Sequence, residues 1–368
     1  MKLFSRFIIP CLVLALALAG CQDRTSAPFE AGVDQQAVLA GAGAVGLERA
    51  IAAQEQHNPR LLALANVVGT AVGLAPDGTP AVLVLTKAPG VAGIPKSLDG
   101  VPVVVKITGE IRALKKPENP PGKPPGGGKD KVKIDPTGRF ERPVPIGVST
   151  GSEVGVCAAG TIGCRVTDGT SVYALSNNHV YADENNAPIG SRVLQPGPLD
   201  ADPQCAINSQ DVIGTLDAFE PLDFSGGVNT IDAAIAESST DDLGNATPSN
   251  GYGTPSSAIV SAALGQKVKK YGRTTGQTKG IVTGINFSGI VGYGEPGNES
   301  SAYFENQILV QARRPFIGPG DSGSLLVTDN RSCNPVGLLF AGDETGTSAV
   351  ANPIAAVLER FGVTVDGE

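Results

Sequence analysis

The sequence predicts a mainly β protein preceded by a small α+β unit, on three observations. Gly (48) and Pro (28) are frequent enough in 368 residues to interrupt long helices. Short Val, Ile, Leu and Thr runs recur between turn residues, the pattern of strands rather than of a helical bundle. With 41% apolar and 17% charged residues, the chain has the material for two packed domains.

Residues 1–21 read as an address. Lys2 and Arg6 precede the apolar run Phe7 to Ala19, which has the positive flank of an export signal and is short for a membrane span. The run ends Leu18-Ala19-Gly20-Cys21. This resembles the lipobox of bacterial lipoproteins, and the resemblance implies lipidation at Cys21, with an outer-membrane address in a Gram-negative host because Gln22 follows. Cleavage after Ala19 is the alternative and would release a secreted or periplasmic protein. Residues 22–33 read as a polar tether.

Residues 34–114 form the expected small α+β domain. A breaker-poor Ala, Leu, Glu and Gln stretch from Asp34 to about Gln56 predicts a helix, with His57 at its end beside the last carbonyls. Val67 to Leu74 and Ala81 to Leu85 flank the turn Ala75-Pro76-Asp77-Gly78, a hairpin signal, and Val101 to Thr108 predicts a further strand. Residues 115–138, rich in Pro, Gly and Lys, read as a spacer and a domain boundary.

From 139 to 368 about ten short strands suit an all-β sandwich or a pair of barrels. The expected strands are Gly160 to Thr167, Ser171 to Ser176, Arg192 to Gln195, Val212 to Leu216, Ile231 to Glu237, Lys267 to Tyr271, Thr278 to Phe287, Gln307 to Gln311, Ser324 to Thr328 and Val336 to Ala341. The formal charge is -8, and acidic residues outnumber basic ones from Thr137 onward. Such a surface repels phosphate backbones, and no Trp offers a stacking platform, so nucleic acid is excluded as a partner.

Export implies an oxidising setting, in which Cys157, Cys164, Cys205 and Cys333 form an even set. Two disulfides are expected, in any of three connectivities, with buried free thiols as the alternative. Zinc is disfavoured by the absence of paired C-x-x-C units and by a chain holding only two His. The acidic loop Asp183-Glu184-Asn185-Asn186 reads as a solvated loop rather than a Ca²⁺ site.

Three segments carry the chemistry. Gly320-Asp321-Ser322-Gly323-Ser324 precedes the apolar run Leu325-Leu326-Val327, a turn that would expose a hydroxyl. Val172 to Ser176 leads into Asn177-Asn178-His179, which supplies a base of suitable pKa. Asn229-Thr230-Ile231-Asp232 places a carboxylate at the head of the apolar run Ala233-Ala234-Ile235-Ala236. The order His, Asp, Ser resembles that of chymotrypsin-like serine peptidases.

The resemblance implies a two-barrel fold with a His179–Asp232–Ser322 triad and an oxyanion hole formed by the amides of Gly320 and Ser322. It also implies a substrate-pairing strand at Val336 to Gly342, with Phe316, Phe340, Ala341 and Gly342 near the substrate. Gly160-Thr161-Ile162-Gly163, Tyr271-Gly272-Arg273-Thr274-Thr275-Gly276 and Ala351-Asn352-Pro353-Ile354 extend it toward a bacterial trypsin-like group that also resembles plant narrow-leaf-type peptidases.

The expectation is therefore an envelope-anchored serine endopeptidase acting on protein or peptide, through an acyl-enzyme and without a metal or organic cofactor. A peptide-binding or chaperone-like lipoprotein and a peptidase that processes only itself are the alternatives. An activation cleavage site is not evident: Arg142-Pro143 is a poor one, since Pro after Arg disfavours tryptic cutting.

Overall fold

A computed structural model describes residues 42–113, 134–295 and 297–368. The expected signal segment with Cys21, the tether and most of the 115–138 spacer lie outside the described residues. Helix α1 (Ala42–Leu62) is followed by β1 (Val67–Leu74), β2 (Pro80–Thr86), β3 (Ser97–Leu98), β4 (Val101–Ile107) and β5 (Ile111–Ala113). The next group is β6 (Ser149–Ser152), β7 (Gly160–Thr161), β8 (Cys164–Thr167), β9 (Val172–Ser176), α2 (Asn178–Tyr181), β10 (Arg192–Leu194), β11 (Val212–Phe219), β12 (Val228–Asn229) and β13 (Ala234–Ser238). The last is β14 (Lys267–Gly272), β15 (Gly276–Glu295), β16 (Asn298–Gln311), β17 (Leu325–Thr328), β18 (Pro335–Asp343), β19 (Ser348–Pro353), α3 (Ile354–Phe361) and β20 (Thr364–Val365).

These strands build two barrels. In the first, pairing runs β8-β9-β13-β11-β10-β6-β7, and since β7 and β8 are pieces of one stretch the path returns on itself. In the second, β14 pairs β15, β15 pairs β16, and β19, β18 and β17 lead back to β14. Closure pairs the barrel strands with one another, while β12 and the β1-β2-β4-β3 extension form the outer ends of the second sheet. The first core holds Val148, Ile162, Leu175, Val193, Ile213 and Ile235, and the second Val268, Val282, Val310, Phe316, Leu326 and Leu339, all at most 3% exposed. Every residue of β18 is buried, as its uninterrupted apolar run requires.

The segment before the spacer is continuous with the second sheet. Strand β1 pairs antiparallel with β2 and with β15, β2 pairs parallel with β4, and α1 lays Ala50, Ala53 and Leu61 on Val72, Val82 and Val84. Gln54 ties the helix to this sheet by donating to Thr70 Oγ1 at 2.9 Å and to Asn286 O at 2.8 Å. The helix runs past its expected end through Pro59 to Leu62, so His57 sits inside it, 2.8 Å from Asp99.

The long β15–β16 hairpin exceeds expectation, because pairing continues through Gly-rich and polar residues that carry no strand signal. The two-disulfide expectation is also corrected. Cys157 is bonded to Cys205, whereas Cys164 and Cys333 are free. Cys164 packs in the first core as a small apolar residue, and the Cys333 thiol faces backbone carbonyls, that of Asn330 at 3.5 Å. Among the described residues no helix is long and apolar enough to cross a membrane.

Candidate active site

The strongest local signals of the sequence converge between the barrels. Asp232 lies on the connection from β12 to β13, His179 on the short helix α2 that follows β9, and Ser322 on the turn before β17. Strand β13 pairs with β9, which brings the start of one beside the end of the other. His179 Nδ1 is consequently 2.6 Å from Asp232 Oδ2, and the other carboxylate oxygen accepts the His179 amide at 3.2 Å. Tyr293 donates its hydroxyl to Oδ2 at 2.9 Å, and its ring meets the imidazole edge-on, centroids 6.0 Å apart. Asp232 is held from behind as well, its amide donating to Asn352 Oδ1 at 3.1 Å.

The other imidazole nitrogen faces a different situation. His179 Nε2 is buried and has no hydrogen-bond partner among the described residues. The residue lines a cavity of about 20 Å³ together with Ser322, Val154, Val156, Ala159 and Gly160. Ser322 shares that cavity, but its hydroxyl makes a long 3.4 Å contact to Phe340 O. An unpaired buried nitrogen costs about 1–3 kcal/mol, and a base that must later accept a proton is one reason for a fold to tolerate it.

The turn that carries Ser322 is clamped from three sides. Thr161 of β7 donates its amide to Ser322 O at 2.8 Å and its hydroxyl to Gly320 O at 2.8 Å. Gly323 donates to Leu339 O of β18 at 2.8 Å. Asp321 turns away from the cavity and accepts from the amides of Gly318 at 2.9 Å and Thr274 at 2.8 Å, and from the Thr275 hydroxyl at 2.7 Å. Its counter-charge is Lys270 Nζ at 2.8 Å, and both side chains are fully buried. Burial pushes the Lys270 ammonium down, and the Asp321 carboxylate opposes that shift.

Gly320 and Gly323 hold φ of 96° and 92°, the left-handed region that favours glycine. A Cβ on Gly323 would lie 2.2 Å from Ser176 Oγ and 2.3 Å from Thr161 O, so glycine is required there on two grounds. Beside this turn Arg273 makes a forked ion pair with Asp200, its Nε donating at 2.6 Å.

The residues expected near the substrate separate. Phe340, Ala341 and Gly342 lie on β18, and Phe340 O meets the Ser322 hydroxyl. The Phe340 ring, however, packs on Phe304 with centroids 4.8 Å apart, in a cluster with Tyr293 and Val291. Phe316 is wholly buried in the second barrel's core and does not line the cavity of His179 and Ser322. Tyr293 and Lys270 escaped the sequence reading. Tyr293 sits in a Gly-rich stretch without a motif, and Lys270 is the residue before the Tyr271-Gly272-Arg273 segment already singled out. Among the described residues no group of three or more His, Cys, Asp or Glu side chains is arranged to hold a metal ion.

No protein-family model and no curated protein matches this chain. Among solved structures it is similar to a glutamic-acid-specific serine protease that uses a histidine triad in substrate binding, at 21% identity and a TM-score of 0.42 over 60% of this chain and 100% of that one. Thermobifida fusca protease A is 19% identical, with a TM-score of 0.42 over 61% of this chain and 98% of its own. Cellulomonas bogoriensis chymotrypsin is 17% identical, with a TM-score of 0.39 over 61% and 99%. These structural neighbours are chymotrypsin-like serine proteases from bacteria. The likenesses are distant, and the reading of this site rests on its own geometry.

Proposed function

We propose that the chain is a serine endopeptidase, anchored in a bacterial envelope through Cys21, with His179, Asp232 and Ser322 as its triad. One observation carries the reading: His179 is locked to Asp232 through Nδ1, its Nε2 has no partner among the described residues, and the residue lines the same cavity as Ser322. Asp232 selects the tautomer with the proton on Nδ1, which leaves Nε2 free to accept the Ser322 proton as Oγ attacks a peptide carbonyl. The imidazolium then faces a carboxylate, and the proton passes to the leaving amine. The acyl-enzyme is resolved by water along the same route. The amides of Gly320 and Ser322 are the proposed donors to the developing oxyanion, and the proposal requires the Ser322 side chain to turn about χ1 from Phe340 O toward Nε2. Such bonds are commonly loose before substrate binds.

The test is labelling with a fluorophosphonate probe. Wild type should label, Ser322→Ala should not, and His179→Ala and Asp232→Asn should label at least 10³-fold more slowly, the order of magnitude expected for a triad. Folded wild type that fails to label at any probe concentration would overturn the peptidase reading.

A further inference from the structure

The substrate-pairing edge proposed for β18 is already occupied by the chain itself. Strand β5 pairs antiparallel with β18, Ile111 opposite Asp343, Arg112 opposite Gly342 and Ala113 opposite Ala341. Its direction carries it from Asp343 toward Phe340, whose carbonyl meets the Ser322 hydroxyl. On its other side Arg112 pairs with Gly292 of β15, so β5 is seated between two strands of the second sheet. A three-residue strand isolated between Gly109 and the spacer has little reason to persist except through this docking.

Its side chains alternate as a bound strand's do. Ile111 and Ala113 face one way, 2% and 9% exposed, into the cluster of Tyr293, Phe304 and Phe340 that backs the candidate triad. Arg112 faces the other way, 3.5 Å from Glu299 and 3.7 Å from Glu110, and donates to Gly294 O at 3.4 Å.

We propose that Ile111–Ala113 is an internal peptide ligand of the β18 edge, and that it reports the peptide class this edge accepts: a branched apolar side chain two residues ahead of a small one, with a cation tolerated between them. The proposal takes the role of β18 from the peptidase reading, but strand addition at the edge requires no catalysis. Tethering supplies the internal strand at an effective concentration on the order of millimolar, so a free peptide competes poorly until β5 is loosened.

The experiment uses the full chain carrying Ser322→Ala and a fluorescein-labelled peptide reproducing residues 106–113, followed by fluorescence polarisation. Loosening β5 by Ala113→Pro, which removes a backbone donor, or separately by Ile111→Asp, which places a charge in the apolar cluster, should tighten peptide binding at least tenfold. Replacing by aspartate the peptide isoleucine that corresponds to Ile111, and leaving the one that corresponds to Ile107, should abolish that gain. Equal affinity with and without either substitution, or a loosened edge indifferent to the isoleucine, overturns the proposal. Circular dichroism checks each variant, and either folded variant suffices. Should neither fold, hydrogen exchange on the chain with β5 unaltered decides: saturating peptide must accelerate exchange at residues 111–113, and unchanged exchange refutes the proposal. Peptide binding that behaves as expected in a chain whose Ser322 form never labels would end the peptidase reading and leave this one standing.

Discussion

Lys270 is the side chain on which the geometry of the turn carrying Ser322 is expected to depend most. Asp321, adjacent to Ser322, is fully buried and has Lys270 as its counter-charge at 2.8 Å. Truncation by Lys270→Met keeps most of the volume and removes the cation, which leaves a buried carboxylate with its hydrogen bonds but without a counter-charge. Breaking a buried pair from one side costs about 3–5 kcal/mol, whereas replacing both partners by neutral groups is often close to neutral. Lys270→Met should therefore lose about 3–5 kcal/mol in urea unfolding, and the double variant Lys270→Met with Asp321→Asn should recover most of it. Circular dichroism is the signal of choice because the chain has no Trp. Fluorophosphonate labelling of Ser322 supplies the second readout and should slow in the single variant under conditions where it remains folded. A loss below about 1 kcal/mol, with labelling at the wild-type rate, would refute the claim that this ion pair holds the turn.

Three further outcomes follow from the same structure. Gly323→Ala meets both a positive φ and contacts of 2.2 and 2.3 Å, and should destabilise the fold by about 2 kcal/mol or more and slow Ser322 labelling; a stable, normally labelling variant would contradict the close approach. Reduction of Cys157–Cys205, which closes a loop of sequence separation 48, should lower stability by about 4 kcal/mol on the chain-entropy model, measured by unfolding with and without reductant. Burial pushes the Cys164 thiol up to about 12, against 9 for an ordinary thiol. Between those values the unfolded chain loses a proton that the native state keeps, so stability falls as pH rises from about 9 toward 12, by about 1.4 kcal/mol per pH unit for this group, and is unaffected below. Cys164→Ala should remove that slope, leaving the alkaline loss due to buried tyrosines such as Tyr293, whose hydroxyl burial and Asp232 hold well above its usual range.

Much of the framework is legible locally. Strand signals in the two barrels depend on short apolar runs between turn residues, a property of neighbours in sequence, and β9, β13, β14, β17 and β18 lie close to where those runs predict them. His179, Asp232 and Ser322 are legible for a related reason, since each ends or begins such a run. What the sequence by itself determined was therefore the set of elements and the residue types at their junctions. Only the tertiary structure decided the partners. Long-range pairing puts Tyr293 on Asp232, buries Lys270 against Asp321, sends Phe316 into the barrel core, leaves Cys164 and Cys333 unjoined, and lays β5 along β18. Each of these outcomes depends on residues far apart in the chain, through burial and the closure of the sheets, quantities that no local window of sequence contains.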